Sequence, residues 1–284
     1  MFPRSVLRGV VGSDPVGWSA VGDGYTPAGR WVVEFDNGLT AFVKSADGDE
    51  AWPLRREFGV LSILEGSFFP TLLAFHDEPD RAILVIEDLS GWMWPPPYPS
   101  TTAGLFSMLD AVAVHPPPKG LPRLKKPSRL LWPEIRSDPS SFLQLGVAAD
   151  GWLAAAYRGL AQAEEAFDPT GDDLVHNDIW AGNIAMSDRR CVLVDWGEAK
   201  RGSAAVDRGF LHLSLRSEAG PRPTSRFAGD ASYVAWWSAQ LTARLVKGPD
   251  PRLDPAITTG LNQDLRAALE WAAELLDLPP PNKS

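Results

Sequence analysis

Residues 174–200 read LVHNDIWAGNIAMSDRRCVLVDWGEAK, and this stretch decides the fold. Two short apolar runs, residues 184–186 and 191–194, flank the polar segment 187–190. Apolar runs separated by a polar turn predict a β-hairpin. The second run is expected to be a buried strand and contains Cys191, the only cysteine of the chain.

Polar side chains lie at one end of this predicted hairpin. His176, Asp178 and Asn183 precede its first strand, and Asp195 directly follows its second. Phosphoryl transfer needs such a set, because one carboxylate accepts the proton of the attacking hydroxyl while an amide oxygen and a second carboxylate hold Mg²⁺. The alternative interpretation is a polar loop beside an ordinary hairpin.

The spacing His-x-Asp-x-x-x-x-Asn, followed by Asp-Trp-Gly, resembles the catalytic loop and the metal-binding motif of protein kinases. Asn177 stands where a protein kinase usually has Arg, and Trp196 stands in place of Phe, so the pattern is more similar to the aminoglycoside phosphotransferase family. Trp180 and Gly182 depart from that family, which is expected to have Arg and Asp there. Substrate contacts near Trp180 are therefore expected to differ.

The resemblance covers nearly the whole chain and implies an α+β, protein-kinase-like bilobal fold. Residues 1–88 would form a small antiparallel-sheet N-lobe that binds nucleotide, and residues 89–284 a mainly helical C-lobe that carries the catalytic and substrate-binding residues. It also implies ATP (or GTP) and Mg²⁺ as cofactors. In this scheme Asp178 is the catalytic base, Asn183 and Asp195 bind the metal, and His176 braces the loop.

Glycines and a hairpin turn mark the beginning of the predicted N-lobe. Gly22 and Gly24 lie in a turn before the strand 30–35, where glycine would let backbone N–H groups approach phosphates. Such a pair of glycines is also common in ordinary turns. Asn37 and Gly38 tolerate positive φ and predict a hairpin to the strand 39–44.

Lys44 ends this strand, a placement that resembles the nucleotide-binding lysine of the kinase fold. The segment 54–64 has apolar residues at helical spacing and is predicted to be the following helix. Glu57 is chosen as the ion-pair partner of Lys44, with Glu50 and Glu65 as alternatives. A solvated lysine and a solvated glutamate are the competing interpretation.

Two further strands, residues 71–76 and 82–86, lead to Glu87 and Leu89. In the kinase-like scheme this is the hinge, where the Glu87 carbonyl and the Leu89 amide would bind the adenine edge. Helices are predicted over residues 102–114, 150–167, 231–245 and 261–276. The resemblance further implies that Asp207 caps a helix and ties it to the catalytic loop.

Composition limits the class of protein. The chain has 284 residues, 44% hydrophobic, and a formal net charge of −9. The negative charge disfavours nucleic acid as a partner, because phosphate contacts need a basic face. No apolar run reaches the roughly 18 residues of a membrane span. One cysteine and no leader-like N-terminus favour the cytoplasm.

These observations predict a small-molecule O-phosphotransferase, a monomer or homodimer. A cationic acceptor is compatible with the net charge, although an acidic surface also serves solubility. The alternatives are a protein Ser/Thr kinase, which the lack of an Ala-Pro-Glu segment after Gly197 disfavours, and a non-catalytic nucleotide-binding regulator. Trp180 and Trp196 are candidates for an aromatic wall of the substrate cleft.

Overall fold

The computed structural model describes residues 3–22, 28–94, 102–218, 229–248 and 255–281. Helices in these residues are α1 Arg4–Val11, α2 Ala51–Leu61, α3 Thr102–Ala113, α4 Leu131–Ser137, α5 Ser140–Gln144, α6 Asp150–Ala166, α7 Ala205–Ser217, α8 Asp230–Val246 and α9 Pro255–Leu275. Strands are β1 Pro15–Ala20, β2 Gly29–Phe35, β3 Thr40–Asp47, β4 Leu72–Glu78, β5 Arg81–Glu87, β6 Asp173–Val175, β7 Ile184–Met186, β8 Cys191–Leu193 and β9 Lys200–Gly202. The predicted α+β class is confirmed, with an antiparallel sheet early in the chain and helices later.

The chain divides into two compact units. The first comprises residues 1–122 and 176–200, and the second comprises residues 123–175 and 201–284. The loop and hairpin that carry the proposed chemistry therefore group with the N-terminal sheet. The predicted boundary after residue 88 separates a nucleotide-binding lobe from a catalytic lobe, and it stays a prediction.

A five-stranded antiparallel sheet, in the order β1-β2-β3-β5-β4, forms most of the first unit. The predicted turn between β2 and β3 is confirmed, and Gly38 adopts a φ of +83° that glycine tolerates without steric cost. One face of the sheet packs on α1, which the sequence analysis did not predict. Leu7 of α1 is fully buried there with Val43 and Val85.

Helix α2 begins three residues before the predicted start. Pro53 lies in its first turn, where a missing N–H group costs no helical hydrogen bond. Leu54 and Leu61 are buried, whereas Phe58 is half-buried and stacks on Phe75 with 4.0 Å between ring centroids. Glu57 is buried on the same helix, which places a carboxylate under the sheet.

The hairpin of β7 and β8 is confirmed as an antiparallel pair, with Ile184 opposite Leu193 and Met186 opposite Cys191. The expectation that Cys191 lies within a buried strand needs correction. Cys191 begins β8 and is only partly buried, and its Sγ lies 3.6 Å from Sδ of Met108.

Helices α4 to α9 surround the core of the second unit. Its largest fully buried side chains are Trp132, Phe142, Leu153, Leu160 and Tyr233. Burial of each such side chain contributes about 1.5–3 kcal/mol, and this core is the main source of stability of the unit. Among the described residues no helix is long and apolar enough to cross a membrane.

The side chain of one glutamate of α6 is buried in this core. Glu164 is 2% exposed, and its two carboxylate oxygens accept hydrogen bonds from the N–H groups of Leu131 and Trp132 at 2.8 and 2.9 Å. These N–H groups begin α4 and have no partner within that helix. Glu164 therefore caps a helix that lies elsewhere in the sequence.

The prediction that Asp207 caps a helix is wrong. Helix α7 follows Ala204 as its N-cap, without a side-chain cap, and Asp207 is buried in the first turn. Its charge there still suits the positive end of the helix dipole. The implied tie to the catalytic loop stays a prediction.

Candidate active site

The loop before β7 is fixed by His176. The ring is fully buried, its Nε2 lies 2.9 Å from the carbonyl oxygen of Val194, and its Nδ1 accepts the N–H of Asp178 at 3.3 Å. Nε2 therefore carries the proton, because Nδ1 is used as an acceptor. Burial lowers the pKa of His176 to about 4, so the ring is neutral and braces the loop.

Asp178 and Asn183 are joined at the end of the hairpin. The Nδ2 group of Asn183 donates to the backbone oxygen of Asp178 at 2.8 Å and to its Oδ2 at 3.0 Å. Asn177, which precedes Asp178, has a φ of +67°, a conformation that Asn adopts more readily than most residues. The amide of Asn183 thus holds the Asp178 carboxylate, while its Oδ1 remains the atom with which it would bind a cation.

Asp195 follows β8 in the left-handed conformation, with φ 66° and ψ 61°. Trp196 next to it is fully buried, donates its indole N–H to the carbonyl of Leu193 at 2.9 Å and packs edge-on against the ring of His176. Trp196 is therefore a packing residue, and the suggestion that it lines a cleft is wrong. Its side chain fixes the turn that presents Asp195.

The ion pair predicted between Lys44 and Glu57 is present. The Nζ of Lys44 lies 3.0 and 2.8 Å from the two carboxylate oxygens of Glu57 and 3.1 Å from Oδ1 of Asp195. Lys44 and Glu57 are almost completely buried, whereas the Asp195 side chain is 43% exposed. Strand β3, helix α2 and the end of β8 thus converge on one cluster of charges.

The opposite charges of this cluster stabilise one another. Burial disfavours the Lys44 ammonium, but Asp195 and Glu57 outweigh it and raise the pKa of Lys44. The Lys44 ammonium lowers the pKa of Asp195. Burial raises the pKa of Glu57 against the opposing effect of Lys44, yet both of its oxygens accept from the ammonium, which is the geometry of an ionised pair.

Helix α2 also holds the turn after Asp195. Arg56 donates to the carbonyl oxygen of Gly197 at 2.8 Å and lies 3.8 Å from Glu198. A Cβ at Gly197 would come within 3.1 Å of Cβ of Pro53, so a larger residue would push the turn away from the helix. The sequence analysis did not identify Arg56 or this contact.

An open cavity of about 100 Å³ adjoins these groups. Its lining residues are Ala28, Arg30, Lys44, Glu50, Pro53, Leu54, Asp178, Asp195, Gly197 and Glu198. Asp178, the predicted base, and Lys44, the predicted phosphate-binding cation, thus line the same cavity. Glu50, an alternative partner for Lys44, lines the cavity instead, and Glu65 is exposed.

The predicted hinge follows β5. The Leu89 carbonyl accepts the N–H of Trp92 and the indole N–H of Trp94, both at 3.0 Å, whereas no described residue accepts a hydrogen bond from the Leu89 N–H. The side chain of Glu87 forms an ion pair with Arg190, with 2.7 Å between Oε1 and Nη1. Arg190 also donates to the Phe69 carbonyl at 3.1 Å and so fastens the hinge to the β7–β8 turn.

The remaining predicted residues are Gly22, Gly24 and Trp180. Gly22 lies just after β1 and is exposed, and Gly24 lies outside the described residues. Trp180 precedes the turn 181–183 and is partly buried, and its ring covers Gly182 closely enough that no Cβ would fit there. The side chain that departs from the expected family pattern at residue 180 therefore also explains the glycine at residue 182.

The donor set fits a hard divalent cation. Asp195 offers a carboxylate and Asn183 an amide oxygen, and oxygen ligands of this kind suit Mg²⁺. Within the described residues no group of three or more His, Cys, Asp or Glu side chains could hold a metal by itself. A cation here would therefore need further oxygen ligands, such as those of phosphate groups and water.

Several solved structures share this fold. An aminoglycoside phosphotransferase, APH(4)-Ia, in a complex with ADP and hygromycin B aligns at a TM-score of 0.54 and 15% identity over 94% of this chain and 98% of that one. A choline/ethanolamine kinase family protein from Mesorhizobium loti aligns at 0.62 and 14% identity over 96% of both chains. The amicoumacin kinase hAmiN, with AMP-PNP, Ca²⁺ and Ami, aligns at 0.55 and 13% over 96% and 94%.

These alignments confirm the predicted protein-kinase-like fold. At 13–15% identity they establish the fold and no more. No curated protein sequence matches the chain significantly. The model of the phosphotransferase enzyme family (APH) matches residues 17–245, well over half of the chain, and the protein therefore belongs to this family of kinase-type phosphotransferases.

Proposed function

We propose that the protein transfers the γ-phosphoryl group of ATP (or GTP) to a hydroxyl group of a small acceptor with the help of Mg²⁺. One observation carries the proposal: Lys44, Glu57 and Asp195 form one hydrogen-bonded cluster, and Asp178 lines the same cavity as Lys44 and Asp195. A nucleotide-binding cation, a metal ligand and a base are thus available to one bound nucleotide.

Asp178 is proposed as the base. The acceptor oxygen would form a bond to the γ-phosphorus while the bond from that phosphorus to the bridging oxygen breaks, which releases the nucleoside diphosphate. The hydroxyl proton would pass to the Asp178 carboxylate. Asn183 holds that carboxylate through its Nδ2 group, which supports a fixed orientation towards the cavity.

Asn183 and Asp195 are proposed as the protein ligands of Mg²⁺, which neutralises phosphate charge when bound. Lys44 is proposed to contact the phosphates, with Glu57 positioning it. Both Lys44 and Glu57 are buried, so the lysine has little freedom to leave the site. Gly22 and Gly24 are proposed to approach the phosphates through their backbone.

The adenine edge is proposed to bind the Glu87 carbonyl and the Leu89 amide. Leu89 is a buried residue, and no described residue accepts a hydrogen bond from its N–H group, which supports this assignment. A buried donor without a protein partner is costly, and a ring nitrogen of a bound base would satisfy it. The Glu87–Arg190 ion pair would keep this backbone in place.

The acceptor is proposed to be an aminoglycoside-like or other small molecule with a positive charge. Hygromycin B and amicoumacin are bound by structurally similar proteins, and Glu50 and Glu198 add carboxylates to a cavity that already contains Asp178 and Asp195. The KM of a cationic acceptor should rise with added salt, because exposed charges are screened over about 8–10 Å at 0.1–0.15 M. A salt-insensitive KM would remove the cationic assignment.

The proposed activity is tested by ADP or GDP release from the purified protein with ATP or GTP. Candidate acceptors are aminoglycosides, amino sugars, nucleosides and macrolides, each assayed with and without Mg²⁺. Asp178→Asn should abolish most turnover, and Asp188→Asn should not, because Asp188 is exposed in the hairpin turn. Acceptor-dependent release that survives Asp178→Asn would refute the assigned base.

The release assay and a nucleotide titration by calorimetry together test the two alternatives, a protein kinase and a non-catalytic regulator. A protein kinase would phosphorylate a protein substrate and release no extra ADP with any small acceptor. A non-catalytic regulator would bind nucleotide in calorimetry without turnover. Either result would contradict the proposed small-molecule phosphotransferase.

A further inference from the structure

We propose that Arg30 is a second cationic contact for the polyphosphate of the nucleotide donor, beside Lys44. This inference rests on the proposed function, since it assumes that nucleotide occupies the cavity. It adds a binding residue that the sequence motifs do not include. The placement of Arg30, the hydrogen bonds of Lys44 and the charge balance of the cavity carry it.

Arg30 lies directly opposite Lys44 in the sheet. Strands β2 and β3 pair with Arg30 opposite Lys44 and Trp31 opposite Val43. Directly paired residues of an antiparallel sheet point to the same face, and both Arg30 and Lys44 line the cavity. The backbone beside Arg30 is covered by the Trp31 ring, which leaves no room for a Cβ at Gly29.

Lys44 already uses its hydrogen-bonding capacity. An ammonium group has three N–H donors, and Lys44 contacts both oxygens of Glu57 and Oδ1 of Asp195. A phosphate oxygen could bind Lys44 only by sharing or replacing one of these acceptors. A second cationic side chain would therefore supply N–H donors that Lys44 does not have to spare.

Arg30 has the chemistry for this task. Its guanidinium carries five N–H donors in a planar fork that matches phosphate geometry. Its Nη1 donates to the carbonyl oxygen of Ala28 at 2.9 Å, which orients the group at the edge of the cavity.

The charge balance of the cavity points the same way. Glu50, Asp178, Asp195 and Glu198 contribute four carboxylates to the lining, against the two cations Arg30 and Lys44. Repulsion from these carboxylates would oppose a polyphosphate unless cations offset it. Among the described lining residues, Arg30 is the one cation besides Lys44.

The test is calorimetric titration of ATP, AMP and adenosine, without acceptor, into wild type, Arg30→Ala and Arg81→Ala. Arg30→Ala should weaken ATP binding about 10-fold or more, as expected for loss of a charged hydrogen-bond donor, and leave adenosine binding unchanged. Arg81 is a matched control, because it lies in the same sheet and pairs with Asp47 away from the cavity. Arg30→Lys should lose less than Arg30→Ala.

The outcomes distinguish this inference from the proposed function. Wild type that binds none of the three compounds would refute both. If Arg30→Ala binds ATP as tightly as wild type does, the role of Arg30 alone is refuted. The same holds if Arg30→Ala loses ATP binding and adenosine binding to an equal extent. Arg30→Gln, which keeps a donor for the Ala28 carbonyl, replaces Arg30→Ala if the latter does not fold.

Discussion

Two buried glutamates, one in each compact unit, meet different partners. Glu57 in the first unit contacts the ammonium of Lys44, and that ammonium also contacts Asp195, which lines the cavity. Glu164 in the second unit accepts two backbone N–H groups at the beginning of α4 and is surrounded by the hydrophobic core. Both carboxylates are shielded from water, but only the first is connected to a space that a ligand could enter.

The difference teaches that burial of a charged group does not by itself indicate function. A carboxylate that satisfies backbone N–H groups stabilises the fold, because those groups would otherwise be unpaired. A carboxylate that holds another side chain in place stabilises a particular arrangement of charge. Substitutions in the two regions should therefore have opposite signatures, one in turnover and the other in thermal stability.

The largest effect is expected at the carboxylates that line the cavity. Asp178→Asn should lower kcat about 10²–10⁴-fold and leave the affinity for Mg²⁺-ATP nearly unchanged, because the lost group acts on the acceptor. Asp195→Asn should weaken Mg²⁺-ATP binding as well as turnover, because it removes a metal ligand. Calorimetric titration of Mg²⁺-ATP and steady-state kinetics on both variants measure the contrast.

Asp178→Asn should not lower the Tm appreciably, since the Asp178 side chain is partly exposed. Asp195→Asn should lower it to some extent, because the buried Lys44 ammonium loses a charged partner. If both variants bound Mg²⁺-ATP normally and still turned over, the hairpin would carry no catalytic site. If both variants lost thermal stability and kept their turnover, the expected difference between substitutions in the two units would be contradicted.

The sequence predicted elements whose signals are local. The turn at Gly38 and the hairpin of β7 and β8 follow from turn residues between apolar runs. The choice of Glu57 over Glu50 and Glu65 followed from its place on a helix after the lysine strand. Arg30 was missed, although it lies as far before Asn37 as Lys44 lies after it, so counting outward from the turn would have paired the two residues.

Other features depend on contacts that sequence spacing does not encode. Glu164 caps a helix that begins at Leu131, and its role appears only when α4 and α6 pack together. Trp196 was considered for a cleft wall, but its indole N–H finds the Leu193 carbonyl and the ring is buried. A large amphipathic side chain fits either position, and packing decides between them.

The second prediction concerns Glu57. Glu57→Gln should lower kcat/KM about 10- to 100-fold, equivalent to about 1.4–2.7 kcal/mol, because Lys44 loses its charged partner and one of its fixed contacts. Glu65→Gln is the matched control, since Glu65 is exposed just beyond the same helix. Steady-state kinetics with ATP varied would reveal the loss, and equal values for the two variants would contradict a positioning role for Glu57.

The third prediction concerns Glu164. Glu164→Ala leaves the N–H groups of Leu131 and Trp132 without an acceptor and should cost about 1–3 kcal/mol of stability. The Tm should fall by several degrees, measured by scanning calorimetry, while kcat/KM at low temperature stays at the wild-type value. Glu165→Ala is the control, because Glu165 is exposed on the same turn. A Glu164→Ala variant with wild-type Tm and reduced turnover would reverse the comparison.

The last prediction is a pH dependence that two buried histidines share, one in each unit. Burial lowers the pKa of both His176 and His212 to about 4, from 6.5 for an exposed histidine. The unfolded chain therefore binds these protons first as the pH falls. Their contribution to stability is fully present above pH 6.5 and is lost as the pH falls towards 4, by up to about 1.4 kcal/mol per pH unit for each histidine.

His176→Gln and His212→Gln should each reduce the fall in Tm between pH 6.5 and pH 4.5 relative to wild type. Only His176→Gln should also impair turnover at neutral pH, because the ring of His176 accepts the Asp178 N–H and thereby orients the catalytic loop. His212 stacks on Trp271 in the core of the second unit, with 5.6 Å between ring centroids, and should affect stability alone. Calorimetry at several pH values would measure the pH dependence of the Tm that both histidines affect. Kinetics at pH 7.5 would measure the turnover that only His176 should affect. Equal loss of turnover in the two variants would show that the two units are not functionally distinct.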